Sequence, residues 1–292
     1  MHGFTVFDNN AYKGVRPDRL DRIVKAEMRE GIVPLASIVV LQELLARVRS
    51  PDPREAGRNR SAIRKLGVHC LVRAPASPRI NFLIPVDSQI QRLLSGKAHP
   101  RDTEMLDAFG DMVRVVTEAN ANDPLPEIAH DLSAIEAGVA KVERAYVDAL
   151  QLVAVSELQP NRMKRNLEYA ARIAQRAKEF YGISFSPIEI VANVIDIAKI
   201  TSVGFALRDA IIQEIHAKGG GHAQHGNSVW DEEVVSSTSS YTAINGKTVI
   251  LVTEEKRLLV AAGVADASDR VCDVATYEEL LGLPRWNGGL EG

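Results

Sequence analysis

The stretch FTVFDNNAY, residues 4 to 12, is a short apolar segment that ends on a carboxylate. Phe4 to Phe7 have the composition of a buried strand, and Asp8 follows them directly. A helix is predicted next, from Pro17 to Gly31, because apolar residues recur there at helical spacing and a glycine occupies the C-cap position. The chain therefore opens with a strand and a helix, and Asp8 marks the end of the strand.

The following segments continue this alternation. A short strand is predicted at Ile32 and Val33, then a helix from about Ser37, a candidate N-cap, to Val48. The strongest strand is TVILVT, Thr248 to Thr253, a nearly unbroken β-branched run of the kind found in the middle of a parallel sheet. Alternating strands and helices predict an α/β fold with a mostly parallel sheet.

Between these two regions the chain reads differently. Ser50 to Ser61 is polar and contains prolines, so we interpret it as a loop leading to a short helix, and Val68 to Pro75 as a third strand. From about Arg101 to Lys218 the pattern is nearly all helical. We therefore divide the chain into a first part of the α/β core (1–99), a helical insertion (100–220) and a second part of the core (221–292).

Composition sets the broad class of protein. The chain has 292 residues, 46% hydrophobic and 25% charged, which is ordinary for a globular protein, and its net charge of -3 indicates no global affinity for polyanions. Cys70 and Cys272 belong to no ligand-spaced cluster, so we interpret them as reduced thiols. The sequence shows no signal-peptide pattern and no apolar run long enough for a membrane span. We expect a cytoplasmic protein.

Carboxylates follow the two best strands. Asp8 comes directly after the first strand, and Glu254 and Glu255 come directly after TVILVT. Ligand sites in a parallel α/β sheet form beyond the carboxyl ends of its strands. Glu43 and Asp231 lie beside apolar segments near two helix starts. Gathered carboxylates repel one another unless a cation is present, and oxygen ligands with few histidines suit Mg²⁺ or Mn²⁺, whose natural chemistry is phosphodiester hydrolysis.

Four fragments, TVFDNNAY, VLQELL, VWDEEVVSSTSSYT and VILVTEEKRL, occur in the order of a known pattern. They resemble the PIN domain, a family of metal-dependent nucleases, over about residues 3 to 75 and 228 to 280. The resemblance implies a three-layer α/β/α sandwich interrupted by the helical insertion. It also implies a site with these members: Asp8, Asn9, Glu43, Asp231, Thr253 and Glu254 or Glu255.

The resemblance also implies a function. Asp8, Glu43, Asp231 and Glu255 would hold Mg²⁺ or Mn²⁺ and its activated water, with Asn9 and Thr253 in support. It implies a nuclease acting on RNA rather than DNA, and a homodimer. The chain departs from the family pattern in its final acid, where the family usually has Asp, and in its length. An alternative is a PIN-like scaffold without catalysis, whose helical insertion binds a protein or nucleic-acid partner.

Each candidate residue also has an ordinary structural interpretation. Asp8 is a residue type that favours turns, and Asp231 is an acid that a helix N-terminus favours. Glu43 is compatible with a solvated helix face. Thr253 and Glu255 are compatible with a simple strand-to-helix cap. These alternatives remain open in the sequence.

Histidines and arginines supply candidates for contact with substrate. His222 and His225 lie in a glycine-flanked stretch, GGGHAQHGN, which indicates a loop that would place a histidine near substrate phosphate. Basic residues occur in runs at 58–65 and 161–178. Most of those in the second run are interpreted as a solvated helix face, with one stripe as an alternative contact for a nucleic-acid backbone. Arg58 and Arg60, in the first run, are candidates for substrate binding.

Overall fold

A computed structural model describes residues 3–72, 79–120, 123–152, 162–193, 197–218 and 225–286. These residues form a mostly helical α/β fold around a small parallel sheet. The strands are β1 (Gly3–Phe7), β2 (Ile32–Pro34), β3 (Ala36–Ser37), β4 (Leu71–Val72), β5 (Arg79–Ile80), β6 (Phe82–Leu83), β7 (Val249–Val252) and β8 (Val271–Cys272).

Helices make up most of the rest. In the first part of the chain they are α1 (Asn9–Gly14), α2 (Pro17–Glu30), α3 (Ile38–Leu45), α4 (Pro53–Cys70) and α5 (Val86–Ser95). The central region has α6 (Pro100–Glu118), α7 (Ala129–Gln151), α8 (Arg162–Tyr181), α9 (Pro187–Asn193) and α10 (Ile197–Lys218), with a 3-10 turn at Pro126–Ile128. The last part has α11 (Ser228–Asn245), α12 (Lys256–Val264) and α13 (Val274–Leu280). None of the helices described is both long and apolar enough to cross a membrane.

The main sheet has the strand order β2–β1–β7–β8, with every neighbouring pair parallel. A fifth strand extends it. The Leu35 N–H donates to the Thr5 carbonyl at 2.8 Å, and the next residue, Ala36, donates to the Asn81 carbonyl at 2.7 Å. Because successive N–H groups of an extended chain point to opposite sides, the stretch 32–37 pairs with β1 on one side and with β6 on the other.

Several predicted elements are confirmed. TVILVT forms β7 in the interior of the sheet, with all four strand residues buried. The predicted helix from Pro17 ends where expected, at Gly31, whose φ of 67° is the left-handed C-cap conformation. Ser37 caps α3 by accepting a hydrogen bond from the Val40 N–H. The alternation of strands and helices that the sequence predicts is therefore present in the structure around the parallel sheet.

Two predictions around residue 60 are wrong. The segment Ser50 to Ser61, predicted as a loop with a short helix, enters the long helix α4 at Pro53. The predicted strand Val68 to Pro75 is helical to Cys70, its only strand residues among those described are Leu71 and Val72, and 73–75 lie outside the described residues. Ile63, Leu66 and Cys70 are buried at helical spacing, and this continuous face keeps the chain helical.

One hydrophobic core joins the sheet and the central helices. It contains Val6 and Leu251 from the sheet, Val116 from α6 and Leu207 from α10. A second cluster, in which Ile90 and Ile173 are fully buried, holds α5, α8 and α9 together. The predicted helical region at 100–220 is thus present as α6 to α10, and part of it shares the core of the sheet.

Candidate functional site

The site begins at the adjacent ends of β1 and β7. Phe7 is paired with Val252, so the residues that follow, Asp8 and Thr253, lie side by side. The Asp8 N–H donates to the Val252 carbonyl at 2.9 Å, which continues the ladder past the strand end. Sheet register alone therefore brings together two candidates that lie 245 residues apart in the chain.

The Asp8 carboxylate is held at both oxygens. Its Oδ1 accepts a hydrogen bond from the Ala11 N–H at 2.6 Å and so caps α1, while its Oδ2 accepts one from the Thr253 hydroxyl. Asp8 is only 3% exposed, and this burial raises its pKa to about 7. The two hydrogen bonds oppose the shift, whereas the charges of Glu43 and Glu255 add to it. The turn interpretation of Asp8 is thus partly right, because the residue is a helix cap that also faces other acids.

Glu43 extends from α3 into the same region. It is buried, and this burial raises its pKa, while the charges of Arg47 and Lys13 oppose the rise. Arg47 donates to Glu43 Oε1 at 2.8 Å, and the Asn9 side chain also donates to this carboxylate. The solvated helix-face interpretation of Glu43 does not describe this structure.

Asp231 lies in the first turn of α11. Part of its side chain reaches solvent, yet burial of the carboxyl group raises its pKa well above the ordinary value. The charges of Glu43, Asp8 and Glu255 raise this pKa further, and Arg257 opposes them. Asp8 and Asp231 are therefore both influenced by the charges of Glu43 and Glu255.

Two adjacent glutamates follow β7, and they have different partners. Glu255 caps α12 by accepting a hydrogen bond from the Arg257 N–H at 3.3 Å, and its other oxygen accepts one from the Asn10 amide at 3.3 Å. Its own N–H donates to the Thr253 hydroxyl at 2.9 Å. Glu254 is exposed and accepts a hydrogen bond from the Val274 N–H at 3.2 Å. Only the charge of Glu255 is among the principal influences on Asp8 and Asp231.

Asn9 contributes an oxygen to the interior of the site. Its side chain is 6% exposed and donates to Glu43. Its Oδ1 atom is buried and has no hydrogen-bond partner. A buried carbonyl oxygen without a donor is costly, and such an atom is commonly satisfied by a water molecule or a cation. Among the candidate residues, this unpartnered oxygen is the atom that points most directly to a bound ligand.

The candidate substrate-binding residues are dispersed. Arg58 is exposed on α4, whereas Arg60 is 8% exposed and donates to backbone carbonyls, among them that of Asp123 at 2.7 Å. His225 is buried; burial, and secondarily the charge of Arg257, lowers its pKa. His222 lies outside the described residues. Of the three that the structure describes, His225 shares a charged neighbour, Arg257, with Asp231.

Several site residues were not predicted from the sequence. Lys13 and Arg47 carry the positive charges that act on Glu43, and Arg257 carries the one that acts on Asp231. Arg47 follows Glu43 by four residues, a spacing that favours an ion pair and could have signalled the contact. Lys13 and Arg257 follow the predicted strand-end acids Asp8 and Glu255 by a few residues, but no spacing rule distinguishes them from solvated bases.

The four acids are not arranged as a ready coordination shell. Within the ranges that the structure describes, no group of three or more His, Cys, Asp or Glu side chains is placed to hold a metal ion. Asp8 uses both oxygens in hydrogen bonds, and Glu43 uses one with Arg47. The arrangement brings buried and half-buried carboxylate oxygens into one region, beside three basic residues.

Comparison with known protein families, curated proteins and solved structures finds no match. The site is therefore interpreted from its own residues.

Proposed function

We propose that this protein is a Mg²⁺- or Mn²⁺-dependent nuclease of the PIN type that cleaves RNA. The observation that carries the proposal is the convergence of four acids from separate parts of the chain, in which Glu43, Asp8 and Glu255 all raise the pKa of Asp231. A fold that buries mutually repelling carboxylates gains stability when a cation joins them. The small parallel sheet, with the order β2–β1–β7–β8, agrees with the α/β class of the PIN domain, and the three-layer α/β/α arrangement belongs to the same proposal.

The donor set fits a hard divalent ion. Carboxylate oxygens and the unpartnered Asn9 Oδ1 are the ligands that Mg²⁺ and Mn²⁺ prefer, and no cysteine is among the candidates. Asp8, Glu43, Asp231 and Glu255 would hold the ion. The chemistry supplied by such an ion would be acidification of a water molecule and neutralisation of charge on the scissile phosphate.

The protein's own groups have definable roles in this proposal. Thr253 fixes the Asp8 carboxylate through its hydroxyl, and the same hydroxyl accepts the Glu255 N–H. Arg47 fixes Glu43. Lys13, whose pKa is lowered by burial, is a half-buried ammonium group beside Asp8 and Glu43, where it could contact a substrate phosphate. Assembly as a homodimer and a cytoplasmic location belong to the same proposal.

Single-stranded RNA and Mn²⁺ test the proposal directly. We expect the purified protein to cleave RNA only with the ion present, and Asp8→Asn and Asp231→Asn each to reduce the rate at least about 100-fold, because loss of even a supporting group at a metal site commonly costs about 10- to 100-fold. Asp21→Asn, at an exposed acid on α2 paired with Lys25, is the matched control and should retain activity. Cleavage that survives both site substitutions would place the active centre elsewhere.

A second candidate is a PIN-like scaffold without catalysis. It is favoured by Glu255, which caps α12, and by the lack of a preformed metal group within the described residues. Thermal denaturation distinguishes the two candidates. A nuclease should be stabilised by millimolar Mn²⁺, and the effect should vanish in Asp8→Asn. A scaffold should show no change in unfolding temperature on addition of Mn²⁺, in the wild-type protein or in Asp8→Asn.

A further inference from the structure

Arg47 links the candidate site to the central helices. Its Nη1 donates to Glu43 Oε1 at 2.8 Å, and its Nη2 donates to Glu143 Oε1 on α7 at 3.1 Å. Nη2 also donates to the Asn227 side chain, which immediately precedes α11. One guanidinium group therefore contacts three segments, the end of α3, α7 and the residue before α11.

Glu143 is fixed in turn by the residue next to Asp231. The indole N–H of Trp230 donates to Glu143 Oε1 at 2.8 Å. The Arg47, Glu43 and Glu143 side chains are only 19%, 9% and 10% exposed. Charge-assisted hydrogen bonds that are shielded from water are stronger and more directional than exposed ones. The chain of contacts Glu43–Arg47–Glu143–Trp230 thus connects the candidate ligand Glu43, through a residue of the central helices, to the residue that precedes Asp231.

We infer that Arg47 is a positioning residue for Glu43, and that Glu143 is the group through which the central helices set the metal affinity of the site. This inference rests on the proposed function. Arg47 donates to Glu43 Oε1 and Asn9 also donates to this carboxylate, so two hydrogen bonds set the orientation in which Glu43 would meet a cation. Glu143→Gln replaces the carboxylate that Arg47 and Trp230 share by a neutral amide, so Arg47 keeps its contact with Asn227 but loses its charged partner on α7, and Glu43 is oriented less firmly.

The same two segments supply a matched control. Arg49, two residues after Arg47, makes a bidentate ion pair with Glu136 of α7, at 3.0 and 2.8 Å. This pair connects the same stretch of chain to the same helix, seven residues earlier, and none of its contacts involves a candidate ligand. Glu143→Gln and Glu136→Gln therefore remove one charge each from comparable bridges.

Mn²⁺ binding to the full chain, measured by titration calorimetry, is the test. We expect Glu143→Gln to raise the half-saturating Mn²⁺ concentration about 10- to 100-fold, as loss of a group that orients a metal ligand commonly does. Glu136→Gln should leave it unchanged. In RNA cleavage, saturating Mn²⁺ should restore the kcat of Glu143→Gln with the KM for RNA unaltered, which a general loss of structure would not allow.

The outcomes separate the inference from the proposed function. If the wild-type protein binds Mn²⁺ but Glu143→Gln binds it as Glu136→Gln does, the positioning role is wrong and the nuclease proposal survives. If the wild-type protein binds no Mn²⁺, both fail. Should Glu143→Gln not fold, Trp230→Phe carries the test, since it keeps an aromatic ring in the core while removing the N–H donor to Glu143 together with part of the ring volume. Wild-type affinity in that variant would also overturn the inference.

Discussion

The Asp8 carboxyl group has two oxygens, and each accepts a hydrogen bond from a neighbouring group of the protein. Those bonds favour the ionised form, yet burial outweighs them and raises the pKa to about 7. Folding without a metal ion therefore favours a proton on this residue. Burial, together with neighbouring like charges, also raises the pKa of Asp231. Ionisation of all the carboxyl groups of the site is therefore unfavourable at neutral pH.

Protons and Mn²⁺ should therefore compete for the site. An acid whose pKa is raised on folding, from 3.8 to about 7 for Asp8, stabilises the metal-free fold fully below the unfolded value, and this contribution is lost as the pH rises through about 7. Metal ligands must be deprotonated, so the gain from Mn²⁺ should grow over the same range. We expect the Mn²⁺-induced rise in unfolding temperature to be small at pH 5.5 and largest above pH 7, as measured by scanning fluorimetry.

Asp8→Asn serves as the control for this pH dependence. Asparagine keeps an acceptor for the Ala11 N–H, because Asn caps helices about as well as Asp. Without the buried charge, the metal-free variant should lose less stability than the wild-type protein between pH 5.5 and 8. A Mn²⁺ effect of equal size at every pH in the wild-type protein would contradict the assignment of Asp8 as a titrating group.

A second cluster of buried polar side chains surrounds Glu27, and its burial could not be predicted from the sequence pattern. Glu27, 1% exposed, accepts hydrogen bonds from Thr5 at 2.8 Å and Tyr277 at 2.7 Å, and lies 2.8 Å from the His69 ring, which also contacts Tyr12. Burial opposes ionisation of Glu27, but its partners, His69 first, hold its pKa below the ordinary value. Its helix was predicted correctly, yet nothing local in the sequence indicates that this acid is buried.

Individual site residues could be predicted to different extents. Asp8 and Thr253 follow from one rule, that parallel strands end at the same edge of a sheet, once their strands are recognised. Arg47 and Glu143 could not be paired, because 96 residues separate them and no period links them. The choice between Glu254 and Glu255 depends on which one begins α12, and a boundary of that precision is beyond a sequence pattern.

At the scale of elements, α4 shows why local composition misleads. The start of α4 is polar and rich in arginine, and it was predicted to be mainly loop. Asp52 accepts a hydrogen bond from the Arg54 N–H at 2.9 Å and Pro53 begins the helix, two start signals that the sequence contains. Buried residues further along, such as Ile63 and Leu66, then keep the segment helical through packing, a tertiary effect.

Asp52→Ala should weaken this helix start. Replacing a capping Asp by Ala leaves an N–H group of the first turn without its acceptor and costs about 1 kcal/mol of the free energy of unfolding. Asp52→Asn keeps the acceptor and should cost only a few tenths. Urea unfolding monitored by circular dichroism measures both. Equal losses in the two variants would mean that the charge of Asp52, rather than its cap, matters.

At the scale of the whole molecule, the central helices belong to the body of the fold. Leu207 of α10 and Leu251 of β7 are both fully buried in one core, although one lies in the predicted insertion and the other in the sheet. The sequence indicated where the helices lie but not which elements pack against them. Their apolar faces are as compatible with packing on each other as with packing on the sheet. Shared burial predicts cooperative unfolding.

Leu207→Ala and Leu251→Ala test this coupling. Each should destabilise the protein by about 2–5 kcal/mol, the usual cost of emptying a buried leucine site. Both should shift the same transition, seen by circular dichroism and by tryptophan fluorescence, since Trp230 lies in the shared core. A separate early transition in Leu207→Ala alone would instead identify the central helices as an independent unit.

The pairing of β1 with β7 also governs when the site can exist during biosynthesis. β1 is made first, but its partner strand and the hydroxyl that fixes Asp8 lie 245 residues further along. At a translation rate of about 5–20 residues per second, β1 waits about 12–50 s for that partner. A ribosome-bound chain therefore lacks the assembled carboxylate cluster until the segment that contains β7 and Thr253 has emerged. If the protein cleaves RNA, this order of synthesis keeps the growing chain harmless to the message that encodes it.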